Sequence, residues 1–572
     1  MRTGGQILVD QLALNGVPRI FMVPGESFIA ALDALHDCPA IDVVVCRHEG
    51  GAAMMAEASA RLSATATLKP GVAFVTRGPG LANAMSGLHV AMQGATPLLL
   101  LVGLPPLGHE GRGAFQEVAI EPLAGSMVKW AATVRDPVRL PEYVNRALVM
   151  ALSGRPGPVV LGLPEDVLHA SSAVRDAQPT SVAAPGPTWA DMMRLADALD
   201  RAEWPLVIAG GLGWSAAASR ELMVFAERFD LPVAASFRSQ DVLDNRLPHY
   251  VGHLGIGVSG KLATALANAD LIVAIGTHFD EITTGRYGLI APPRPRQRVV
   301  HVHPAPDVLG AGVQTEAPIL SGVQAFTARL EDVAPSVRRG SPRTWSTLRR
   351  DLRSAFEAWQ TVEPSPGAVH LEIVVKHVSD VLPADAIVAS GAGNYAGFVH
   401  RCFTYKGPGT QLAPLSGSMG FGLPAAIAAK LAAPDREVVC FAGDGCLQMT
   451  LQELATAVQY ALPIVVIVAN NGLLGTIRAE QERRYPGRVI ATSLVNPDFA
   501  ALARSYGADG ERVRTDAEFP ALFARARASR RPTLLELMLD PEAIAPALTL
   551  GGIRQAAETA QKAKAPKPGS SK

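Results

Sequence analysis

The sequence predicts an α/β protein built from three doubly wound parallel-sheet domains. Its 572 residues are enough for three to four domains of about 150 residues each. Short β-rich apolar runs alternate with helical patterns along most of the chain, which is typical of a parallel sheet covered by helices. Two irregular segments interrupt this alternation and separate the three units.

The first predicted domain covers residues 1–175, with strands expected at residues 41–45, 72–75, 98–102 and 159–161. The aperiodic linker AQPTSVAAPGPTW follows it. The second domain covers residues 188–337, with strands expected at residues 206–208, 233–234, 271–275 and 299–302, and the connection RRGSPRT ends it. The third covers residues 365–547, with strands expected at residues 386–388, 438–441, 464–468 and 533–537. The Lys-, Pro- and Ser-rich residues 560–572 are predicted to be a disordered tail.

The composition excludes several classes of function. Lys plus Arg and Asp plus Glu both number 52, so the net charge is zero. The chain therefore has no excess of positive charge with which to bind nucleic acid or an anionic membrane. Charged residues make up 18% of the chain, and three stretches, residues 78–109, 407–429 and 454–477, carry none. Gly, Pro, Asn or Gln interrupts each of them, so we expect buried segments of a soluble protein, not membrane spans. Without a secretory signal or paired cysteine spacing, we expect a cytoplasmic protein whose five cysteines are buried thiols.

Two polar clusters follow consecutive predicted strands of the third domain. The GDG triplet of residues 443–445 follows VVCFA, and NNG of residues 470–472 follows IVVIVA. Open parallel sheets bind ligands at this edge. The Asp444 carboxylate and the Asn471 amide oxygen are hard ligands suited to Mg²⁺ or Ca²⁺, and glycines before a helix favour a phosphate. The sequence therefore predicts a metal-bridged diphosphate.

The GDG and NN spacing resembles the cofactor-anchoring motif of thiamine-diphosphate-dependent enzymes, which implies Mg²⁺ ligands at Asp444, Asn471 and the Leu473 carbonyl. Segments MVPGES, FVTRGPGLANAMSGLHVAMQGATPLLLLVG, AFQEV and LAPLSGSMGFGLPAAIAAKL resemble the acetolactate-synthase-like branch, which includes benzoylformate decarboxylase and pyruvate oxidase. The resemblance implies pyrimidine-binding, central and diphosphate-binding domains, in that order. It also implies a homodimer or homotetramer with active sites between subunits.

The same resemblance implies the residues that contact the cofactor. SGAGN (residues 390–394) would line the diphosphate, and Met419 would wedge the cofactor into a bent conformation. The implied set is Gly391, Ala392, Gly393, Asn394, Gly417, Met419, Gly443, Asp444, Gly445, Cys446, Asn471, Leu473, Leu474 and Gly475.

Glu49 is the candidate proton relay. It follows the predicted strand IDVVVC and starts an apolar, small-residue helix, so it is expected in a poorly solvated place where it could share a proton with a ring nitrogen. The resemblance implies that Gly25 and Gln116 lie near the reacting carbon and that Phe115 lies against the substrate.

The acceptor side departs from acetolactate synthases. The arginine of their FDDR motif, which holds the second 2-oxo acid, is matched by Ile282, and a tryptophan of the pocket is matched by Glu480. We therefore expect a changed substrate. Arg77 and Arg478 are candidate replacement cations, with surface or structural roles as the alternative. Lys129 is a candidate substrate-side cation, with a solvated surface position as the alternative.

The central domain of this branch sometimes binds FAD. AGGLG (residues 209–213), HLGIGVSG (residues 253–260) and Gly276 fit such a site loosely or are strand-end turns, while His278 and His303 stand where an arginine and an aspartate are usual. The sequence leaves FAD binding open.

The resemblance implies thiamine-diphosphate- and Mg²⁺-dependent decarboxylation of a 2-oxo acid, with or without carboligation to a second carbonyl compound. One alternative is a non-ligating decarboxylase or a 2-hydroxyacyl-CoA lyase. The other is a non-catalytic cofactor-binding protein, which would have no need of Glu49. A nicotinamide dehydrogenase is disfavoured because no GxGxxG follows the first strand.

Overall fold

The computed structural model describes residues 1–333 and 345–564. These residues form three six-stranded sheets, and every pair of neighbouring strands in them is parallel. Helices connect the consecutive strands of the first and third sheets, whereas in the described part of the central domain the last three strands follow one another without an intervening helix. The predicted fold class is confirmed.

The first sheet has the strand order β3-β2-β4-β5-β7-β6, and β1 and β8 form a separate antiparallel pair. Its strands are β1 (Arg2–Thr3), β2 (Arg19–Met22), β3 (Asp42–Val45), β4 (Gly71–Thr76), β5 (Leu98–Leu104), β6 (Trp130–Thr133), β7 (Pro158–Pro164) and β8 (Ser171–Ser172). Its helices are α1 (Gly4–Leu14), α2 (Ile29–His36), α3 (Glu49–Ser63), α4 (Arg77–Gly94), α5 (Ile120–Ala124), α6 (Leu140–Leu152) and α7 (Glu165–His169).

The central sheet has the order β11-β10-β9-β12-β13-β14. Its strands are β9 (Pro205–Ala209), β10 (Val233–Ala235), β11 (Tyr250–His253), β12 (Leu271–Ile275), β13 (Arg298–His303) and β14 (Ala317–Leu320). The helices of this part of the chain are α8 (Trp189–Asp200), α9 (Ala216–Phe229), α10 (Gly260–Asn268), α11 (Val323–Thr327) and α12 (Trp345–Gln360). The predicted domain end at residue 337 and the whole RRGSPRT connection lie outside the described residues.

The third sheet repeats the arrangement of the first, in the order β16-β15-β17-β18-β20-β19. Its strands are β15 (Ile387–Ser390), β16 (Gln411–Leu412), β17 (Val438–Gly443), β18 (Val465–Asn470), β19 (Asp509–Val513) and β20 (Thr533–Met538), followed by the antiparallel pair β21 (Ala543–Ala545) and β22 (Leu548–Thr549). Its helices are α13 (Leu371–Val381), α14 (Tyr395–Cys402), α15 (Gly422–Ala432), α16 (Asp444–Gln448), α17 (Leu454–Gln459), α18 (Gly475–Arg484), α19 (Phe499–Ser505), α20 (Phe519–Ala528) and α21 (Leu550–Lys564).

The first and third domains share one hydrophobic core within the chain. Helix α3 packs against α4 and against α15, and their buried small residues join those of β5, β17 and β18 in a single cluster. A side chain at Gly87 would approach the Ala53 Cβ to 2.4 Å, so the close approach of α4 to α3 requires glycine there. The three uncharged stretches supply much of this core, and contact between domains of one chain therefore accounts for a large part of their low charge.

The end of the chain differs from the prediction. Residues 560–564, which were predicted to be disordered, continue helix α21, and its Arg554 pairs with the buried Glu482 of α18. The prediction is wrong there because this ion pair and the contact of α21 with α18 hold the helix in place. Residues 565–572 lie outside the described residues.

All five cysteines are free thiols, and four of them are buried while Cys38 is partly exposed. Among the helices of the described residues, none combines the length and the apolar character needed to span a bilayer.

Candidate active site

A cavity of about 230 Å³ opens at the carboxyl ends of β15, β17 and β18. The strand order of the third sheet reverses between β15 and β17, and open parallel sheets bind ligands at such a switch point. Twelve of the residues that the resemblance assigns to the cofactor line the cavity: Ala392, Gly393, Asn394, Gly417, Met419, Gly443, Asp444, Gly445, Cys446, Leu473, Leu474 and Gly475. Gly391 and Asn471 do not line the cavity. Gly391 lies between the end of β15 and the lining residue Ala392, and Asn471 directly follows the end of β18.

Asp444 begins α16 directly after β17 and is almost completely buried. Its Oδ1 accepts a hydrogen bond from the Gly445 N–H at 2.8 Å, and its Oδ2 accepts one from the Gly472 N–H at 2.8 Å. The side-chain amide of Asn496 also donates to Oδ2, at 2.7 Å. Burial raises the pKa of Asp444 above that of an ordinary aspartate, and these hydrogen bonds oppose the shift. A cation beside the carboxylate would favour its charged form.

The ends of β17 and β18 lie side by side, as their spacing in the sequence predicts. Asn471 is buried, and its Oδ1 is 3.2 Å from the N–H of Leu473. Across residues 1–333 and 345–564 no group of three or more His, Cys, Asp or Glu side chains could hold a metal. One carboxylate with amide and backbone oxygens is nevertheless a donor set that fits Mg²⁺, which takes few protein ligands.

The loop after β15 closes the other side of the cavity through close backbone approaches. A Cβ at Gly391 would lie 2.4 Å from the Cys446 sulfur, and a Cβ at Gly475 would lie 2.4 Å from the Asn394 Oδ1. Helix α18 starts at Gly475, so its unpaired N–H groups lie at the cavity, where they favour an anion. The Met419 Cε lies 3.7 Å from the position of a Cβ on Gly445, at the wall of the cavity.

The predicted catalytic residues lie together in a different place, at the carboxyl edge of the first sheet. A Cβ at Gly25, after β2, would lie 2.4 Å from the Thr76 Cβ at the end of β4. Gln116 has a positive φ of 60°, and its carbonyl accepts from the Gly78 N–H at 3.0 Å. Phe115 is 74% exposed. None of these residues lines the third-domain cavity of the same chain.

Glu49 is the first residue of α3 and is 9% exposed, in agreement with the expected poor solvation. Its Oε2 accepts a hydrogen bond from the Asn83 side-chain amide at 2.9 Å. The segment before Glu49 is held by the third domain, because Glu453 accepts hydrogen bonds from the Arg47 N–H at 3.1 Å and from the His48 N–H at 2.9 Å. Glu453 is completely buried and was not predicted from the sequence.

All three domains match a known family. Residues 2–123 match the N-terminal TPP binding domain of thiamine pyrophosphate enzymes, residues 192–330 match the central domain, and residues 391–537 match the C-terminal TPP binding domain. The chain belongs to the thiamine diphosphate enzyme family. The cofactor predicted from the GDG and NN clusters is therefore confirmed as thiamine diphosphate.

Curated relatives assign this thiamine diphosphate enzyme to the acetolactate-synthase-like branch. It is 34% identical to the acetolactate synthase large subunit of Parasynechococcus marenigrum, over 94% of this chain and 87% of the relative. It is 31% identical to the isozyme 3 large subunit of Escherichia coli, over 92% of both chains. It is 30% identical to the mitochondrial catalytic subunit of Saccharomyces cerevisiae, over 96% of this chain and 82% of the relative. The predictions of this branch and of an enzyme are confirmed.

The candidate replacement cations of the enzyme are already engaged. Arg77 pairs with Glu165 at 3.2 Å and also donates to the Phe115 carbonyl, so it supports the loop that carries Gln116. Arg478 pairs with the buried Glu482 at 3.3 Å.

Lys129 and Glu480, two further residues named from the sequence, lie away from the cavity. Lys129 precedes β6 and donates to the Ser153 carbonyl, at the amino edge of the first sheet, opposite the edge that carries Gly25. The structure therefore places Lys129 away from Gly25 and Gln116. Glu480 pairs with Arg483 and Arg484 on α18 and is not among the residues that line the cavity.

The central domain of the enzyme has its own switch point, between β9 and β12. A Cβ at Gly211 would lie 2.0 Å from the Gly276 carbonyl oxygen, so the two glycine turns pack directly against each other. Burial lowers the pKa of His278, and it lowers the pKa of His303 to about 4. Both imidazoles are therefore neutral at pH 7, and they replace the charged pair expected for FAD with neutral groups. Packing of the strand-end turns accounts for Gly211 and Gly276, whereas a Cβ at Gly257 or Gly260 would meet no atom of the described residues within 4 Å.

Proposed function

We propose that the enzyme uses thiamine diphosphate and Mg²⁺ to decarboxylate a 2-oxo acid and to transfer the remaining fragment to a second carbonyl compound. The observation that carries this proposal is the cavity at the β15/β17 switch point, where the buried Asp444 stands beside the Asn471 turn and the start of α18. The carboligation half is supported by the relatives, whose names describe acetolactate synthases.

The chain's own residues would hold the cofactor and move one proton. Thiamine diphosphate supplies, when bound, the carbanion that adds to a carbonyl group and the ring that holds the electron pair left by carbon dioxide. Asp444, Asn471 and the Leu473 carbonyl would hold Mg²⁺, and the N–H groups of residues 392–394 and 475 would face the diphosphate. The Asn83 amide occupies Glu49 Oε2, which leaves Oε1 free to hold a proton for a ring nitrogen.

The site requires two subunits in this proposal. Glu49, Gly25 and Gln116 belong to the first domain, while the cavity is lined by third-domain residues alone. An arrangement in which the first domain of one subunit covers the cavity of its partner brings both halves together, and C2 dimers are the commonest way to build such a contact. We therefore propose a homodimer, or a tetramer of two such dimers.

A non-ligating decarboxylation or the cleavage of a 2-hydroxyacyl thioester is the second candidate. It is favoured by Ile282, which cannot bind a carboxylate, and by the pairing of Arg77 and Arg478 with glutamates. A charge-assisted contact to a carboxylate contributes about 1.5–3 kcal/mol, so its loss weakens the binding of an acidic acceptor appreciably. Product analysis separates the two candidates.

We also propose that the enzyme works without FAD. The support is the direct packing of the Gly211 and Gly276 turns and the neutral His278 and His303. We expect the absorption spectrum of enzyme purified under gentle conditions to lack flavin bands. Incubation with FAD followed by gel filtration excludes loss during purification, and a stoichiometric yellow complex would contradict the proposal.

The decisive experiment is a panel of 2-oxo acids, each supplied alone and with a second aldehyde or 2-oxo acid. Carbon dioxide release and product identity are followed in the presence of thiamine diphosphate and Mg²⁺. We expect Glu49→Gln to lower the rate about a hundredfold or more, because general acid–base groups contribute on that scale. Glu26→Gln is the matched control, since Glu26 is an exposed carboxylate next to Gly25. Full activity of Glu49→Gln would refute the mechanism.

A further inference from the structure

Arg238 is a buried cation that no part of the proposed mechanism uses. It follows β10 of the central domain, is 5% exposed and has a positive φ of 55°, a conformation that residues other than glycine seldom adopt. Its guanidinium lies 5.0 Å above the Phe237 ring. Within the described residues no Asp or Glu side chain forms an ion pair with it. Burial lowers the pKa of Arg238 to about 10, so it remains charged at neutral pH.

The guanidinium donates to two backbone carbonyls of the third domain. One Nη donates to the Pro414 carbonyl, and the other donates to the Gly391 carbonyl at 3.0 Å. Both carbonyls belong to loops that line the cofactor cavity. Gly391 directly precedes Ala392 and Gly393, and the Pro414 carbonyl also accepts from the N–H of Gly417 at 3.0 Å, which closes the turn that presents Gly417.

Burying a charged group is costly unless its hydrogen bonds are made, so an apolar residue would serve better for simple packing. The planar guanidinium instead uses two different nitrogens, held in a fixed geometry, to reach two carbonyls on separate loops, which an apolar side chain cannot do and the single nitrogen of an ammonium group does less well. Its bonds run from one domain to two loops of another that line the cofactor cavity. The contact therefore fixes the distance between these loops before the cofactor arrives.

We propose that Arg238 is a positioning residue for thiamine diphosphate: it joins the Gly391 and Pro414 carbonyls and thereby preorganises the two cofactor loops from the central domain. It does not touch the cavity itself, because it is absent from the cavity lining. The central domain thus contributes to cofactor affinity without contributing a cofactor contact. The inference rests on the family's cofactor and is independent of which 2-oxo acid is decarboxylated.

The test compares Arg238→Met with Gln240→Met. Gln240 is equally buried, and its side chain donates across the same domain contact to the His400 carbonyl at 2.9 Å, but it reaches neither cofactor loop. Titration calorimetry gives the Kd of thiamine diphosphate with excess Mg²⁺, and thermal unfolding of cofactor-free enzyme gives the structural cost. We expect both variants to lower the Tm, but only Arg238→Met to raise the Kd, by about tenfold or more.

A Kd of Arg238→Met no higher than that of Gln240→Met would overturn the proposal. Arg238→Lys keeps the charge but replaces the two Nη atoms of the rigid fork with one nitrogen, so an intermediate Kd is expected. If Arg238→Met does not fold, Arg238→Lys decides: a Kd about threefold above that of Gln240→Met supports the role, and an equal Kd refutes it. Neither measurement uses turnover, so the result stands whether or not the proposed reaction is correct.

Discussion

Two inactive variants of this enzyme should restore activity when they are mixed. Glu49→Gln removes the proposed proton relay from the first domain, and Asp444→Asn removes the carboxylate from the third-domain cavity. If each active site joins the first domain of one subunit to the third domain of its partner, a mixed dimer contains one site with both Glu49 and Asp444 and one site with neither. If both halves came from the same chain, every site of the mixed dimer would be defective.

The expected recovery follows from counting. Random reassembly of equal amounts gives about half mixed dimers with one intact site of two, hence about a quarter of wild-type activity. The variants are mixed under conditions that exchange subunits, and specific activity is measured after each variant alone has been shown to be inactive. The mirror control mixes wild type with a chain that carries both substitutions. Shared sites predict about a quarter of wild-type activity there also, and intrachain sites predict about half.

Absence of recovery, together with half activity in the mirror control, would refute the shared site. It would mean that the first domain of the same chain reaches the cavity by a movement that the structure does not contain. One variant carries a tag, so that gel filtration with light scattering can show that mixed dimers have formed. A failure to exchange subunits is then not mistaken for an absence of recovery.

Two further predictions address single side chains. Asp444→Asn should raise the Kd of thiamine diphosphate in Mg²⁺ buffer about a hundredfold or more by calorimetry, because it removes the only carboxylate among the predicted metal ligands, whereas the exposed Asp435→Asn should leave it unchanged. Arg554 holds the pKa of Glu482 at about 2, below its ordinary 4.5, so this pair stabilises the docking of α21 at neutral pH and loses that effect as the pH falls from about 4.5 towards 2. Glu482→Gln should therefore speed hydrogen exchange in residues 550–564 at pH 7, at a cost of about 1–3 kcal/mol, and differ less from wild type below pH 4.5; equal exchange at pH 7 would contradict the assigned contact.

The regular part of the fold could be predicted because its strands are buried on both faces and appear as apolar runs. The predicted adjacency of β17 and β18, which joins Asp444 to the Asn471 turn, is confirmed by a register that pairs Gly443 with Ala469. Shorter elements gave no such signal. Strand β2 begins with the charged Arg19 and β16 has only two residues, one of them Gln411, so neither stands out as an apolar run, although β2 lies inside the first sheet. Between β17 and β18, residues Leu451–Glu453 form a 3₁₀ turn that precedes the six residues of α17.

The supporting contacts of the site could not be predicted, since they join distant segments. Asn496 reaches Asp444 across 52 residues, Arg238 reaches Gly391 across 153, and Glu453 reaches Arg47 across 406. No local spacing marks such partners. The position of Lys129 could not be predicted for a related reason. Lys129 precedes β6, which is not among the predicted strands, so the sequence does not indicate at which edge of the sheet Lys129 lies.

The contact of Glu453 with the backbone before Glu49 links the two active sites of the proposed dimer. Glu453 belongs to the domain that builds one cavity, yet in the proposed dimer the Glu49 that it supports serves the other cavity. A harmful substitution at Glu453 would therefore impair the site that the partner's cofactor domain builds, not the site of its own cofactor domain. In a mixed dimer, the impaired site would be the one that contains the normal cofactor domain, while the site built by the altered cofactor domain would receive an undisturbed Glu49 from the normal chain.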